Sequence, residues 1–243
     1  MKGLLLVVRR ELGAYAFSLW GWAIVAAILV VDGLLFNAFA LGAGARYSTE
    51  VLQQFFYFSF GTTVIAGILL TMRLNAEERQ TGTMRLLDAS PLTDWQIVAG
   101  KWLSAVAVLS VMTLSTLYMP ALIFVNGKVS VGHIAAGYLG LLLVGSATAA
   151  VGTFASTLTR SQLVAGVVAA ILTVFLLITW LLAKIAAPPF DGIFAYMAMF
   201  NDHFSRTFMR GEVVTDEATA AQFDGVDSEP REVVEGVVER FAG

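Results

Sequence analysis

Residues 163–186 read LVAGVVAAILTVFLLITWLLAKIA, an apolar run whose one charge, Lys184, lies two positions from its end. As a helix this run is about 36 Å long, and roughly 20 apolar residues are enough to cross the hydrocarbon of a bilayer. Working outward, four more runs meet that length: about 19–41, 55–72, 102–125 and 134–158. The whole chain has the same character. Hydrophobic residues make up 58% and charged residues 14%, against about 25% charged in soluble domains. The expected fold is therefore an all-α integral membrane protein with about five transmembrane helices. Trp20, Trp22, Trp102 and Tyr138 fall near span ends, where amphipathic rings favour the headgroup layer. The chain has no cysteine, which removes disulfides and thiolate metal sites.

Orientation follows from lysine and arginine. Lys2, Arg9, Arg10, Arg73, Arg79, Arg85, Lys101 and Arg160 fall on one side of the expected spans, against Arg46, Lys128 and Lys184 on the other. The positive side is cytoplasmic, so the N-terminus and the connection after span two are expected there, in a multi-pass protein of the plasma membrane. No small-residue cleavage site follows residues 1–10, so the first run is expected to be a retained span. Ahead of it, Leu4, Leu5, Val8, Leu12, Tyr15 and Leu19 recur at helical spacing. That pattern predicts an amphipathic helix lying along the membrane surface.

Beyond Ala187-Pro188-Pro189, residues 190–200 are apolar but too short to span, which suits a re-entrant or surface helix. From Glu212 onward nine acidic residues face Arg231 and Arg240. The expected organisation is a membrane domain over 1–211 and an acidic, water-exposed tail over 212–243.

Several chemistries are absent from the sequence. It has no His-Glu-x-x-His pair and no Gly-x-Ser-x-Gly elbow, and His133 and His203 have no ligand companions nearby. No catalytic or metal site is expected, and nucleic acid is not an expected partner. Gly100-Lys101 is not a phosphate loop, because Trp95 stands at the upstream glycine position and Trp102 follows the lysine. Met197, Met199 and Met209 could meet a soft metal, but with no cysteine to assist they suit packing in apolar helices better. Asp32 is the one charged residue well inside a span. A lone intramembrane carboxyl is a functional candidate, though it could equally bond a neighbouring helix or a partner subunit. Small residues at four-residue spacing (Ser59, Thr63 and Gly67; Thr148 and Gly152; Gly166 and Ala170) permit close helix approach, within the chain or at a dimer seam.

The polar stretch between spans two and three carries the most pattern. Residues 73–80 extend span two as a charged helix, and Gly82 suits its left-handed stop. Thr83 can cap a short helix over 84–89 that presents Leu86 and Leu87, with Pro91 ending it. Thr93-x-x-Gln96 has capping-box spacing at the entry to span three.

Glu78-Arg79-x-x-Gly82-Thr83-x-x-x-Leu87-x-x-x-Pro91-Leu92-x-x-Trp95-Gln96-Ile97-Val98-x-Gly100-Lys101 resembles the signature of ABC-2-type transporter permeases. It is especially similar to the branch of gliding-motility and nitrous-oxide-reductase-maturation permeases. The segment Gly152-x-Phe154-Ala155-Ser156-x-Leu158 and the pair Arg210-Gly211 add to the likeness. The resemblance implies a membrane subunit that pairs with a second permease protomer and with cytosolic ATPases. ATP and magnesium would then be held by the partner, with no cofactor in this chain and with lipid around it. It implies an N-terminal elbow helix, a gate helix carrying Glu77, Glu78 and Arg79, and a coupling helix whose Thr83, Leu86 and Leu87 face the ATPase. On the residues alone, Glu77 and Glu78 could instead be a solvated helix face. The family pattern has a sixth span after Arg210-Gly211, whereas the residues after Gly211 contain no such run. A membrane scaffold that docks an assembly, or an ion-coupled carrier using Asp32, are the alternatives.

Overall fold

The computed structural model describes residues 2–41, 48–83, 92–126, 131–186, 190–198, 204–205 and 208–210. Among these residues the structure is helical with no strand. The five expected spans are present as helices long and apolar enough to cross a membrane, at Leu19–Phe39, Thr49–Thr81, Asp94–Ile123, Val131–Leu158 and Gln162–Ile185.

The chain begins with α1 (Lys2–Ala16), and α2 (Leu19–Leu35) follows after a two-residue turn. Ser18 caps α2, its hydroxyl accepting from Gly21 N at 3.4 Å. The end of α2 widens into a π turn over Phe36–Leu41. Span two is α3 (Ser48–Thr71), followed by a break over 72–75 and the short α4 (Ala76–Thr81). Span three is α5 (Asp94–Ser115) continued by α6 (Tyr118–Asn126). The interruption between them falls where Pro120 has no N–H to donate to Thr116. Spans four and five are α7 (Val131–Leu158) and α8 (Gln162–Ile185), and α9 (Phe190–Met197) packs back on α8. At eight residues α9 is too short to span, in keeping with the surface or re-entrant expectation.

The closest seam lies between α3 and α7, and small residues make it possible. A Cβ on Gly67 would sit 2.8 Å from Thr148 Cγ2, and one on Gly145 would sit 3.3 Å from Thr63 Cγ2. Cβ atoms on Gly137 and Gly152 would collide with the Phe56 ring and with Thr71 Oγ1. The small-residue spacing in these two spans therefore serves packing within the chain. Around it, Leu52, Phe55, Phe56, Phe60, Tyr138 and Leu141 form one core cluster. Tyr15, Ile28, Leu70, Leu109, Met112 and Ala149 form a second.

Several expectations change in the folded chain. Tyr138 is buried and hydrogen-bonded to Thr116 at 3.0 Å, and Trp102 Nε1 donates to Ser146 O at 3.1 Å, so these two rings serve the interior. Trp20 and Trp22 are exposed at the start of α2, as a headgroup position requires. The α1 stripe is also rotated: Val7, Glu11 and Tyr15 are buried while Leu5 is exposed. The physical reason is the docking of α1 against α5, where Gly100 lets Val7 approach to within 2.8 Å of a would-be Cβ. His133, which has no ligand companions nearby in sequence, bonds Met209 O at 2.7 Å and stacks on Phe56.

Candidate functional site

Charged residues gather where α1, α4 and the first turns of α5 meet. The cluster begins with the break in span two. Leaving the helix over 72–75 frees backbone groups, and at membrane depth such groups need partners inside the protein. Ser156 on α7 supplies one hydroxyl for three of them: it accepts from Asn75 N at 2.9 Å and Ala76 N at 3.0 Å, and donates to Met72 O at 3.2 Å. Lys101 on α5 supplies the rest, its ammonium donating to Leu74 O at 2.5 Å. The continuous polar extension expected over 73–80 is thus a turn followed by a separate short helix.

Lys101 is fully buried and Glu78 nearly so. Glu78 uses both carboxylate oxygens: Oε2 accepts from the Lys101 ammonium and Oε1 from the Arg10 guanidinium. One carboxylate on α4 therefore ties together α1 and α5. A buried ammonium without a counter-charge is strongly destabilising, by several kcal/mol, so the fold depends on this pairing. Glu11, one turn above Val7 on the buried face of α1, lies beside the same group. Its Oε1 is 3.1 Å from the Arg10 guanidinium but makes no hydrogen bond. Burial raises the Glu11 carboxyl above the usual glutamate range, and Lys101 and Arg10 oppose that shift.

A second tie lies alongside. Arg73 pairs with Glu77 at 3.1 Å, donates to Ser18 Oγ at 3.3 Å and lies 5.7 Å over the Tyr15 ring. The Tyr15 hydroxyl donates to Leu70 O at 2.7 Å, and burial raises its pKa. Together these residues wall a cleft of about 680 Å³ that also touches Thr81 and Thr83.

The expected site residues separate into three groups. Glu77 and Glu78 belong to the ion-paired joint, whereas Arg79 is exposed on the other side of α4. The solvated-face reading therefore fails for Glu78. Gly82 has φ of 76°, the left-handed stop its position called for, and Thr83 follows it, exposed. Leu86, Leu87 and Pro91, with the expected helix over 84–89, lie outside the described residues. The capping box after it is formed, with Gln96 N donating to Thr93 Oγ1 and Thr93 N to Gln96 Oε1. Asp32 is elsewhere, buried against α3 with its carboxylate accepting from Thr62 Oγ1 at 2.7 Å.

Sequence reasoning missed Arg10, Glu11, Lys101 and Ser156 as members of this cluster. One signal was available for Lys101. It falls on the helical stripe of Ile97, Lys101, Ala105 and Met112, so a cation stood on the apolar face of α5. Among the described residues no group of His, Cys, Asp and Glu could hold a metal ion. The arrangement offers no nucleophile and base in contact. It is an ion-paired joint: one carboxylate on α4 holds a guanidinium from α1 and an ammonium from α5.

A family model described as ABC-2 family transporter protein matches residues 6–197. The chain belongs to that family. It is accordingly a permease subunit of an ABC transporter, a multi-pass membrane protein that works with an ABC ATPase. The match begins within α1 and ends at α9, so the permease domain takes in the whole ion-paired joint. No curated protein and no solved structure matches the chain.

Proposed function

We propose that this permease converts ATP-driven closure of two cytosolic ATPases into outward movement of a substrate, by pulling on the joint at Glu78. The observation that carries this reading is the double use of the Glu78 carboxylate, which links α4 to both α1 and α5 immediately before the loop expected to meet the ATPase. In this reading the α1 end faces the cytoplasm of a bacterial cell, as the lysine and arginine bias of the sequence indicates. Residues 84–89 form the coupling helix, with Thr83, Leu86 and Leu87 seated in the ATPase and Gly82 and Pro91 bounding it. Glu77, Glu78 and Arg79 sit on the gate helix. A second permease protomer completes the pathway, and ATP with magnesium is held by the ATPase. A ligand shifts a conformational equilibrium only through different affinities for its states. ATP bound between the partner subunits supplies that difference, and the buried charge pairs make α1, α4 and α5 respond as a unit.

The test is the double substitution Leu86→Asp and Leu87→Asp in the assembled transporter. The expected outcome is normal membrane insertion with ATP hydrolysis uncoupled from transport. Wild-type transport in that variant would remove the coupling assignment.

A further inference from the structure

This inference rests on the permease reading and concerns what is carried. We propose that the groove between α2, α3 and α8, with the Asp32 carboxyl behind its wall, binds lipophilic organic cations as the substrate class.

Asp32 lies thirteen residues into α2, about 20 Å along the helix from Leu19, and is 6% exposed. Among the described residues its carboxylate has one hydrogen-bond partner, Thr62 Oγ1, and no cationic side chain pairs with it. That single bond is itself shared. The Thr62 hydroxyl has one proton and three acceptors within reach: Asp32 Oδ1 at 2.7 Å, Ser59 O at 3.2 Å and Phe58 O at 3.4 Å. One turn earlier on α3, the Ser59 hydroxyl is buried without a hydrogen bond. Among the described residues the buried charges of Glu78 and Lys101 are paired with each other, whereas Asp32 has no cationic partner. A carboxylate in hydrocarbon is costly unless a cation or a polar network meets it.

The place for that cation is adjacent. A groove of about 390 Å³ is lined by Val31, Tyr57, Phe58, Gly61, Thr62 and Leu177, among others. Its size falls within the range of small-molecule sites. Thr62 belongs both to the groove wall and to the Asp32 pair, so a charge in the groove is one hydroxyl away from the carboxylate. Tyr57 and Phe58 line the groove, and aromatic rings attract cations most effectively when water is excluded. An inorganic ion needs several oxygen ligands, whereas these walls are chiefly carbon. A cation with an apolar body satisfies both parts of the site.

The experiment uses the full-length chain, co-purified with its ATPase, in lipid nanodiscs. The lipophilic carboxyl reagent dicyclohexylcarbodiimide labels Asp32, and the adduct is followed by peptide mass spectrometry, with Asp32→Asn confirming the site. The probe is dodecyltrimethylammonium, and dodecanol at equal membrane content is the uncharged control. The cation is expected to slow labelling at least about tenfold, the protection reached when its concentration is about nine times its Kd, and dodecanol to leave it unchanged. Gly61→Leu fills the groove and is expected to abolish the protection. A Cβ at Gly61 meets no atom within 4 Å, so the new side chain starts into open space. Equal effects of cation and alcohol, no labelling at Asp32, or undiminished protection in Gly61→Leu would each overturn the proposal. The readout is binding and requires no turnover, so its failure is separate from failure of the coupling assignment at Leu86 and Leu87.

Discussion

Replacing Glu78 by glutamine keeps the shape of the joint and removes its negative charge. Lys101 then remains 0% exposed, with the glutamine amide oxygen and the Leu74 carbonyl as neutral acceptors and no carboxylate bonded to its ammonium. Breaking a buried ion pair from one side typically costs about 3–5 kcal/mol. Glu78 retains 11% side-chain exposure and its second partner Arg10 is half-exposed, so the lower end, about 3 kcal/mol, is the expected loss. The reverse change behaves differently. Lys101→Met leaves Glu78 Oε1 paired with Arg10 and orphans the Leu74 carbonyl and Oε2 of the partly solvent-accessible Glu78 side chain, for about 1–3 kcal/mol. In the double variant the stranded ammonium is gone, and an apolar side chain occupies its space. The double variant should therefore be no less stable than Lys101→Met, giving a coupling energy of at least about 3 kcal/mol, the whole of the Glu78→Gln loss. The assay is reversible unfolding in mixed micelles, with the four proteins compared under one condition. A loss below about 1 kcal/mol for Glu78→Gln, or a double variant less stable than Glu78→Gln alone, would refute the reasoning.

Three further outcomes follow from neighbouring contacts. Ser156→Ala deprives Asn75 N and Ala76 N of their shared acceptor; a loss of about 2 kcal/mol and faster amide exchange at these two positions are expected. Gly152→Ala drives a methyl group into Thr71 Oγ1 and should cost about 1–3 kcal/mol by parting α3 from α7, whereas Gly61→Ala, in open space, should be neutral or stabilising in the same thermal assay. Glu11→Gln should stabilise the protein at neutral pH, because burial holds the native carboxyl above its ordinary value of 4.5. The sign follows from proton uptake. The folded state binds the extra proton, so wild-type stability falls as pH rises above about 4.5, and the gain of the variant should vanish below that value in a pH series of unfolding curves.

The cluster also explains why span two is interrupted at all. A straight helix would carry Glu78 past Lys101 with its backbone satisfied internally. The turn over 72–75 instead exposes Leu74 O and the amides of Asn75 and Ala76, and side chains from α5 and α7 take them up. The discontinuity is thus anchored on two other spans.

Much of the architecture could be read from the chain alone. The five spans follow from local hydropathy, since a bilayer imposes its length on any apolar run. The Gly82 stop and the Thr93–Gln96 capping box were also legible, because each is closed by backbone and side chains within three residues. The burial of charge was not. Arg10 meets Glu78 across 68 positions, Lys101 meets it across 23, and Ser156 reaches Asn75 across 81. Nothing in the neighbourhood of Glu78 in sequence separates it from Glu77, yet one is sealed between three helices and the other is 43% exposed. Likewise the buried stripe of α1 passes through Glu11 because α1 docks on α5 where Val7 meets Gly100. Hydropathy and capping are properties of a short window of chain, whereas the environment of a charge is set by whichever helices pack around it, and that is known once the bundle has closed.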